Sequence, residues 1–254
     1  MASPTYATSG IVLRKTKLGG SDLIITLLGS DGSLVRCVAK GARKPTSSFS
    51  SRLELFCEVD LLCACGRSLD IVKEARLVRG NERIRTSVEH ATAAAPMAEL
   101  LAKVAQEGLE NELLYRSSCV AFSALNEVSA QVAPSLCAAH LLKTLAYAGL
   151  RPSLAVCVGC GEGVCSDAGL VAFSYSEGGV VCPACRPHCE TLPLSEHARS
   201  WSHYLLVTRF ADIAETKPPL DASFAALRLA QGLIKAHLGT NLKSLEFLLS
   251  SGLW

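Results

Sequence analysis

Two Cys-x-x-Cys pairs are the residues best spaced for chemistry: Cys157-Val-Gly-Cys160 and Cys182-Pro-Ala-Cys185, separated by the 21 residues 161 to 181. Each pair can form a tight knuckle presenting two thiolates, and two knuckles complete the tetrahedral sulfur shell that Zn²⁺ prefers. Gly159, Gly161 and Pro183 suit the turns that aim backbone N–H groups at the sulfurs. Four thiolates leave no position open for water or substrate, so the expected ion is one structural Zn²⁺ held by Cys157, Cys160, Cys182 and Cys185. Cys165, Cys189 and His188 stand close enough in sequence to replace one of the four. A thioredoxin-like dithiol is the competing chemistry, but neither pair sits at a strand-to-helix junction of a βαβ unit. An iron–sulfur cluster would bring its cysteines closer together.

The second chemical feature is positive charge. The chain has 254 residues and a net charge of +2, yet residues 1–80 carry twelve Lys/Arg against seven Asp/Glu. Between Arg14 and Arg52 there are eight basic residues and only two acids before Glu54, Asp22 and Asp31. Such an imbalance points to a surface for a polyanion. The candidate phosphate ligands are Arg14, Lys15, Arg36, Lys40, Arg43, Lys44 and Arg52. Residues 1–80 offer only Tyr6, Phe49 and Phe56 as aromatic stacking groups, so phosphate contact must dominate over base stacking. That chemistry would screen two strands from each other while leaving their base edges free to pair.

These residues need elements to hold them in place. The first 80 residues read as five strands: Gly10–Leu13, Leu23–Leu28, Leu34–Ala39, Leu53–Cys65 and Leu69–Val78, with turn signals between. Five strands in so short a stretch predict a closed barrel, a five-stranded OB-fold or an SH3-like barrel. Helical periodicity follows at Ala91–Gln106, Glu112–Asn126 and Leu136–Ala148, punctuated by Pro96, Gly108, Pro134 and Gly149. It returns at Glu196–Phe210, Phe224–His237 and Leu242–Leu249. Between Gly163 and Gly179, Val171, Phe173 and Tyr175 suggest a short hairpin. The expected architecture is α+β and multi-domain: a barrel over 1–80, a helical domain in two parts, 81–150 and 191–254, and an inserted four-cysteine zinc ribbon over 151–190.

Of twelve cysteines, Cys37, Cys57, Cys63, Cys65, Cys119 and Cys137 are scattered singly through apolar sequence and are expected in the core, as are Trp201 and Trp254. No stretch reaches the roughly 20 apolar residues of a membrane span, and the amino-terminal charges follow an apolar run instead of preceding one, so a cytoplasmic protein is expected. The six histidines are isolated, and no nucleophile elbow, phosphate loop, dinucleotide fingerprint or His-Glu-x-x-His pair occurs, which argues against an enzyme. The rival functions are a thiol oxidoreductase and a zinc-ribbon transcription or translation factor. The ribbon segment 151–190 has two basic and four acidic residues, which argues against phosphate binding there.

The chain resembles the bacterial recombination mediator family RecO. The resemblance rests on Gly10-Ile-Val-Leu13, Lys40-Gly-Ala-Arg43 with Lys44, Arg52-Leu-Glu-Leu-Phe56, the two cysteine pairs, and Leu242-Lys-Ser-Leu-Glu-Phe247, in that order along the whole chain. It implies an amino-terminal OB-fold, a helical domain and a zinc-binding insertion. It also implies DNA repair and homologous recombination in the RecF pathway: binding of single- and double-stranded DNA, annealing of complementary strands, and, with RecR, loading of RecA on DNA coated by single-strand-binding protein, whose C-terminal tail is a further expected partner. The implied location is the bacterial cytoplasm, at the nucleoid.

Overall fold

The computed structural model describes residues 4–164, 166, 167 and 169–254. Contacts divide the chain into two compact units, Met1–Ala94 with Ala98–Asn126, and Ala95–Met97 with Glu127–Trp254.

In the first unit, β1 (Thr5–Leu18), β2 (Asp22–Gly29), β3 (Leu34–Ala39), β4 (Glu58–Ala64) and β5 (Asp70–Arg79) close into a barrel in the order β1-β2-β3-β5-β4. β1 pairs antiparallel with both β2 and β4, and β3 meets β5 in parallel. This closed five-stranded arrangement is an OB-fold. The 14-residue β1 can serve two partners because its register shifts between Val12 and Arg14, a bulge that bends the strand around the barrel. Alternation decides the interior: Val12, Ile25, Leu27, Cys37, Ala39, Val59, Leu61, Cys63 and Val72 fill it. In the 40–57 connection, Ala42 and Leu53 join the same core.

The β2–β3 turn is set by Asp31, whose carboxylate accepts from Ser33 N (2.9 Å) and Ser33 Oγ (2.8 Å). Gly32 holds φ +83° there, and a β-carbon on it would lie 2.0 Å from Asn111 O, so both backbone shape and space demand glycine. After the barrel come α1 (Glu82–Thr86), α2 (Val88–Val104) and α3 (Glu112–Glu127). Phe122 of α3 stacks on Phe56 at 5.8 Å, and Arg79 Nη1 donates to Ser123 Oγ (2.7 Å).

The second unit is built around α4 (Ala133–Tyr147), which is apolar on all sides and buried along most of its length. The sheet of β6 (Leu170–Ser174), β7 (Gly179–Val181) and β8 (Leu192–Ser195) has β6 in the centre. Helices α5 (Glu196–Val207), α6 (Phe210–Ala214), α7 (Leu220–Leu238) and α8 (Lys243–Ser250) complete it. α4 packs on α5, α6 and α7, and Ser135 and Ser223 share a hydrogen bond of 2.5 Å between α4 and α7.

Several expectations are corrected. Pro96 does not punctuate α2 but lies inside it: one N–H is lost, while buried Ala93, Ala94, Met97 and Ala98 on either side keep the helix continuous. The expected helix Glu196–Phe210 is two helices, because Thr208 and Arg209 adopt extended backbone. The β6–β7 hairpin gains a third strand, β8. Cys65 is exposed and Cys119 half-buried, whereas Cys37, Cys57, Cys63 and Cys137 are core residues. Neither tryptophan is in the core. Trp254 is half-buried, donating Nε1–H to Ala130 O (2.7 Å) with its ring edge-to-face on Phe224, and half-buried Trp201 stacks on Tyr204 at 5.0 Å.

Candidate nucleic-acid interface and metal centre

The barrel gathers some of the basic residues and separates others. Lys15 pairs across to Ile25 and Lys17 to Leu23, so the two lysines occupy alternate positions on one side of β1 near its end. Arg43 and Lys44 reach the same place from the 40–57 connection. All four line a groove of about 440 Å³ with Leu23, Phe49, Leu53 and Glu54. The connection is held against the β1–β2 turn by Gly41 N to Asp22 Oδ1 (2.8 Å), Arg43 N to Ser21 O (2.9 Å) and Arg43 Nη1 to Gly20 O (3.0 Å). Lys15 Nζ is 2.7 Å from Glu54 Oε1. Four cations against one carboxylate leave the groove strongly positive.

Arg14 and Arg36 lie elsewhere. They flank Thr26 on β2, whose neighbours Ile25 and Leu27 enter the core, so both arginines stand on the outer surface of the barrel. Arg52 donates Nη1–H to Ala75 O (3.1 Å) and lines a different depression with Lys73, Arg76, Asp60 and Glu74. Lys40 is exposed just past β3. Lys17 was absent from the sequence-based set of phosphate ligands. The signal that finds it is its two-residue spacing from Lys15 on a strand, which puts both on one face.

The metal centre is assembled by the sheet. Ser153 bridges to Gly179, and Val158 N donates to Val180 O (3.0 Å), so the first knuckle lies alongside β7. Close approach requires Gly179: a β-carbon there would sit 2.5 Å from Val158 Cγ1. The 21 residues between the pairs are thus used to build the hairpin that returns Cys182 to Cys157. The Sγ atoms of Cys157, Cys160, Cys182 and Cys185 all lie within 4.8 Å of one another, and Cys160 Sγ to Cys182 Sγ is 3.7 Å. Tetrahedral Zn–S bonds of about 2.3 Å place sulfurs about 3.8 Å apart, so the donor set fits. A β-carbon on Gly159 would meet Cys185 Sγ at 3.0 Å, which accounts for glycine within the first knuckle.

Backbone N–H groups of Cys182 (3.3 Å) and Gly159 (3.4 Å) point at Cys157 Sγ. Led by the Cys182 amide, they pull the Cys157 thiol down to about 6. Cys185 is pushed the other way, chiefly by its hydrogen bond with the Cys182 thiol. Without a cation, four close sulfurs cannot all ionise, and a divalent metal removes that conflict. Among the described residues the cluster contains neither His188 nor Cys189, and Cys189 Sγ contacts Cys185 O instead (3.5 Å). Cys165 lies outside the described residues.

Among the described residues, no helix is long and apolar enough to cross a membrane. A family model described as "Recombination protein O N terminal" matches residues 1–81, and one described as "Recombination protein O C terminal" matches residues 85–246. A DNA repair protein RecO from Bifidobacterium adolescentis is 39% identical over 211 residues, covering 82% of each chain. One from Nocardioides is 34% identical over 251 residues, covering 95% of this chain and 98% of its own. One from Dehalococcoides mccartyi is 30% identical over 213 residues, covering 84% and 82%. With both halves matched in order onto an OB-fold barrel and a metal-competent cysteine cluster, the chain belongs to the RecO family of DNA repair proteins.

Proposed function

We propose that this chain is a non-catalytic recombination mediator of the RecF pathway. It binds single- and double-stranded DNA through the barrel, anneals complementary strands and, with RecR, assists RecA loading on DNA coated by single-strand-binding protein, whose C-terminal tail it also engages. The roles follow the chain: 1–80 holds DNA, 151–190 carries the metal, and the helical parts 81–150 and 191–254 serve partners. It works in the cytoplasm, at the nucleoid. The cysteine quartet holds one structural Zn²⁺, which contributes folding free energy to a segment too small for a core of its own.

The observation that supports this reading is the convergence of Lys15, Lys17, Arg43 and Lys44 on one groove, with a single acid among them. Cations there neutralise backbone phosphates without covering nucleobases, leaving base edges free to pair. Arg14, Arg36, Lys40 and Arg52 extend the phosphate contact over other parts of the barrel surface. The test is annealing of complementary oligonucleotides, with single-strand affinity measured across a salt titration. Each phosphate contact adds about 0.7 to the negative slope of log K against log salt, so Lys17→Ala/Arg43→Ala/Lys44→Ala should flatten it by about 2 and slow annealing. Unchanged slope and annealing in that variant would overturn the assignment.

A further inference from the structure

Past Cys185 the chain leaves the second knuckle through a short turn, Arg186–His188, and reaches Glu190 and Leu192 at the start of β8. Glu190 and Leu192 line a cleft of about 780 Å³, together with Phe173 and Tyr175 and with residues of α7. Such a volume is typical of ligand sites. The Tyr175 ring lies over Gly232 of α7 so closely that a β-carbon at 232 would be 2.2 Å from Tyr175 Cε1, and it contacts Phe173 edge-on at 5.0 Å. Any residue other than glycine at 232 would expel the ring from this position.

Arg228, Gln231 and Lys235 of α7 line the cleft at i, i+3 and i+7, one face of the helix, and Asn241 adds a second amide. Arg228 and Lys235 are exposed and make no ion pair among the described residues. Among the described residues, Glu190 is the only carboxylate in the lining, so two cations face one acid. Seven residues of helix separate the two positions by about 10 Å along the axis, so the two cations can meet different phosphates of one strand.

We propose that this cleft is a second contact for single-stranded nucleic acid, separate from the barrel. Arg228 and Lys235 take backbone phosphates, Tyr175 offers aromatic surface to a base, and the amides of Gln231 and Asn241 hydrogen-bond base edges. Aromatic surface flanked by cations is the combination that single-stranded nucleic acid uses, bases stacking while phosphates are neutralised, and this favours nucleic acid over an acidic peptide.

The test uses the full zinc-loaded chain and a single-stranded oligonucleotide carrying photoreactive 4-thiothymidine, with cross-linked peptides mapped by mass spectrometry. Cross-links are expected within 170–192 and 228–241. Arg228→Ala/Lys235→Ala should weaken single-strand affinity several-fold at low salt and flatten the salt slope by about 1.4, while Arg228→Lys/Lys235→Arg should retain both. An unchanged melting temperature verifies that the exposed substitutions leave the fold intact. The proposal is overturned if cross-links are confined to barrel peptides and the slope does not move. It is equally overturned if the alanine variant loses a labelled acidic peptide but binds the oligonucleotide normally. Failure of the barrel reading would look different: the Lys17/Arg43/Lys44 variant would keep its affinity, with cross-links remaining in the cleft.

Discussion

Asn81 Nδ2 donates to Phe56 O at 2.7 Å, and both residues hold left-handed backbone, at φ 45° and 66°. The bond joins the end of the long β3–β4 connection to the point where the chain leaves the barrel for α1. Asparagine tolerates this conformation and supplies the donor that a buried carbonyl needs. Asn81→Ala should lose about 2–3 kcal/mol in urea denaturation, from the missing bond and the strained alanine together. Asn81→Gly keeps the backbone and loses only the bond, so its loss should be about 1 kcal/mol smaller. Equal losses would show that backbone conformation contributes nothing here.

Glu54 holds Lys15 away from other anions in the barrel groove. Glu54→Gln should release that lysine and raise single-strand affinity about twofold to fivefold at low salt, the range expected from a partly exposed ion pair. The gain should vanish at high salt. Fluorescence anisotropy with a labelled oligonucleotide measures it, and a lower affinity would contradict the assignment of this groove to DNA.

The metal centre predicts one zinc per chain by atomic absorption. Cys160→Ser and Cys185→Ser should each lose the metal and lower the melting temperature of the second unit, and a chelator should do the same to the unmodified chain. Cys189→Ser should keep the full zinc content, because Cys189 stands outside the cluster. Zinc loss in that variant would redraw the ligand set.

His140 is buried in α4 beside Thr144 and the Phe210 ring, and desolvation holds its pKa down at about 3 against an ordinary 6.5. The unfolded chain therefore takes up the proton first. Stability is intact above about pH 6.5 and falls as the pH drops from there towards 3, by about 2 kcal/mol at pH 5. His140→Gln removes the titration, so denaturation at pH 7 and pH 5 should show a smaller difference in that variant than in the parent.

Much of this molecule is legible in one dimension because its signals are local. The short apolar run Leu34–Ala39 and the turn residues Gly19, Gly20 and Gly32 mark a strand and chain reversals from local composition. The Cys-x-x-Cys pairs identify a metal site because knuckle geometry is set by two or three consecutive residues. Pro96 misled for the opposite reason: a local breaker was overridden by burial on both sides. β8 is invisible in one dimension because its pairing with β6 joins residues some twenty positions apart.

Residue type and near-neighbour spacing alone establish the barrel class, the helical remainder, the cysteine quartet and a concentration of charge in the first third. Which cations share a surface is settled in three dimensions. Lys15 and Lys17 meet Arg43 and Lys44 only because β1 and the 40–57 connection converge at one end of the barrel, while Arg14, one residue from Lys15, faces outward with Arg36. Likewise, Tyr175 joins Arg228 and Lys235 only through the glycine at 232. Strand pleating sends adjacent residues to opposite faces, and chain closure brings distant ones together; neither distance is written in sequence separation.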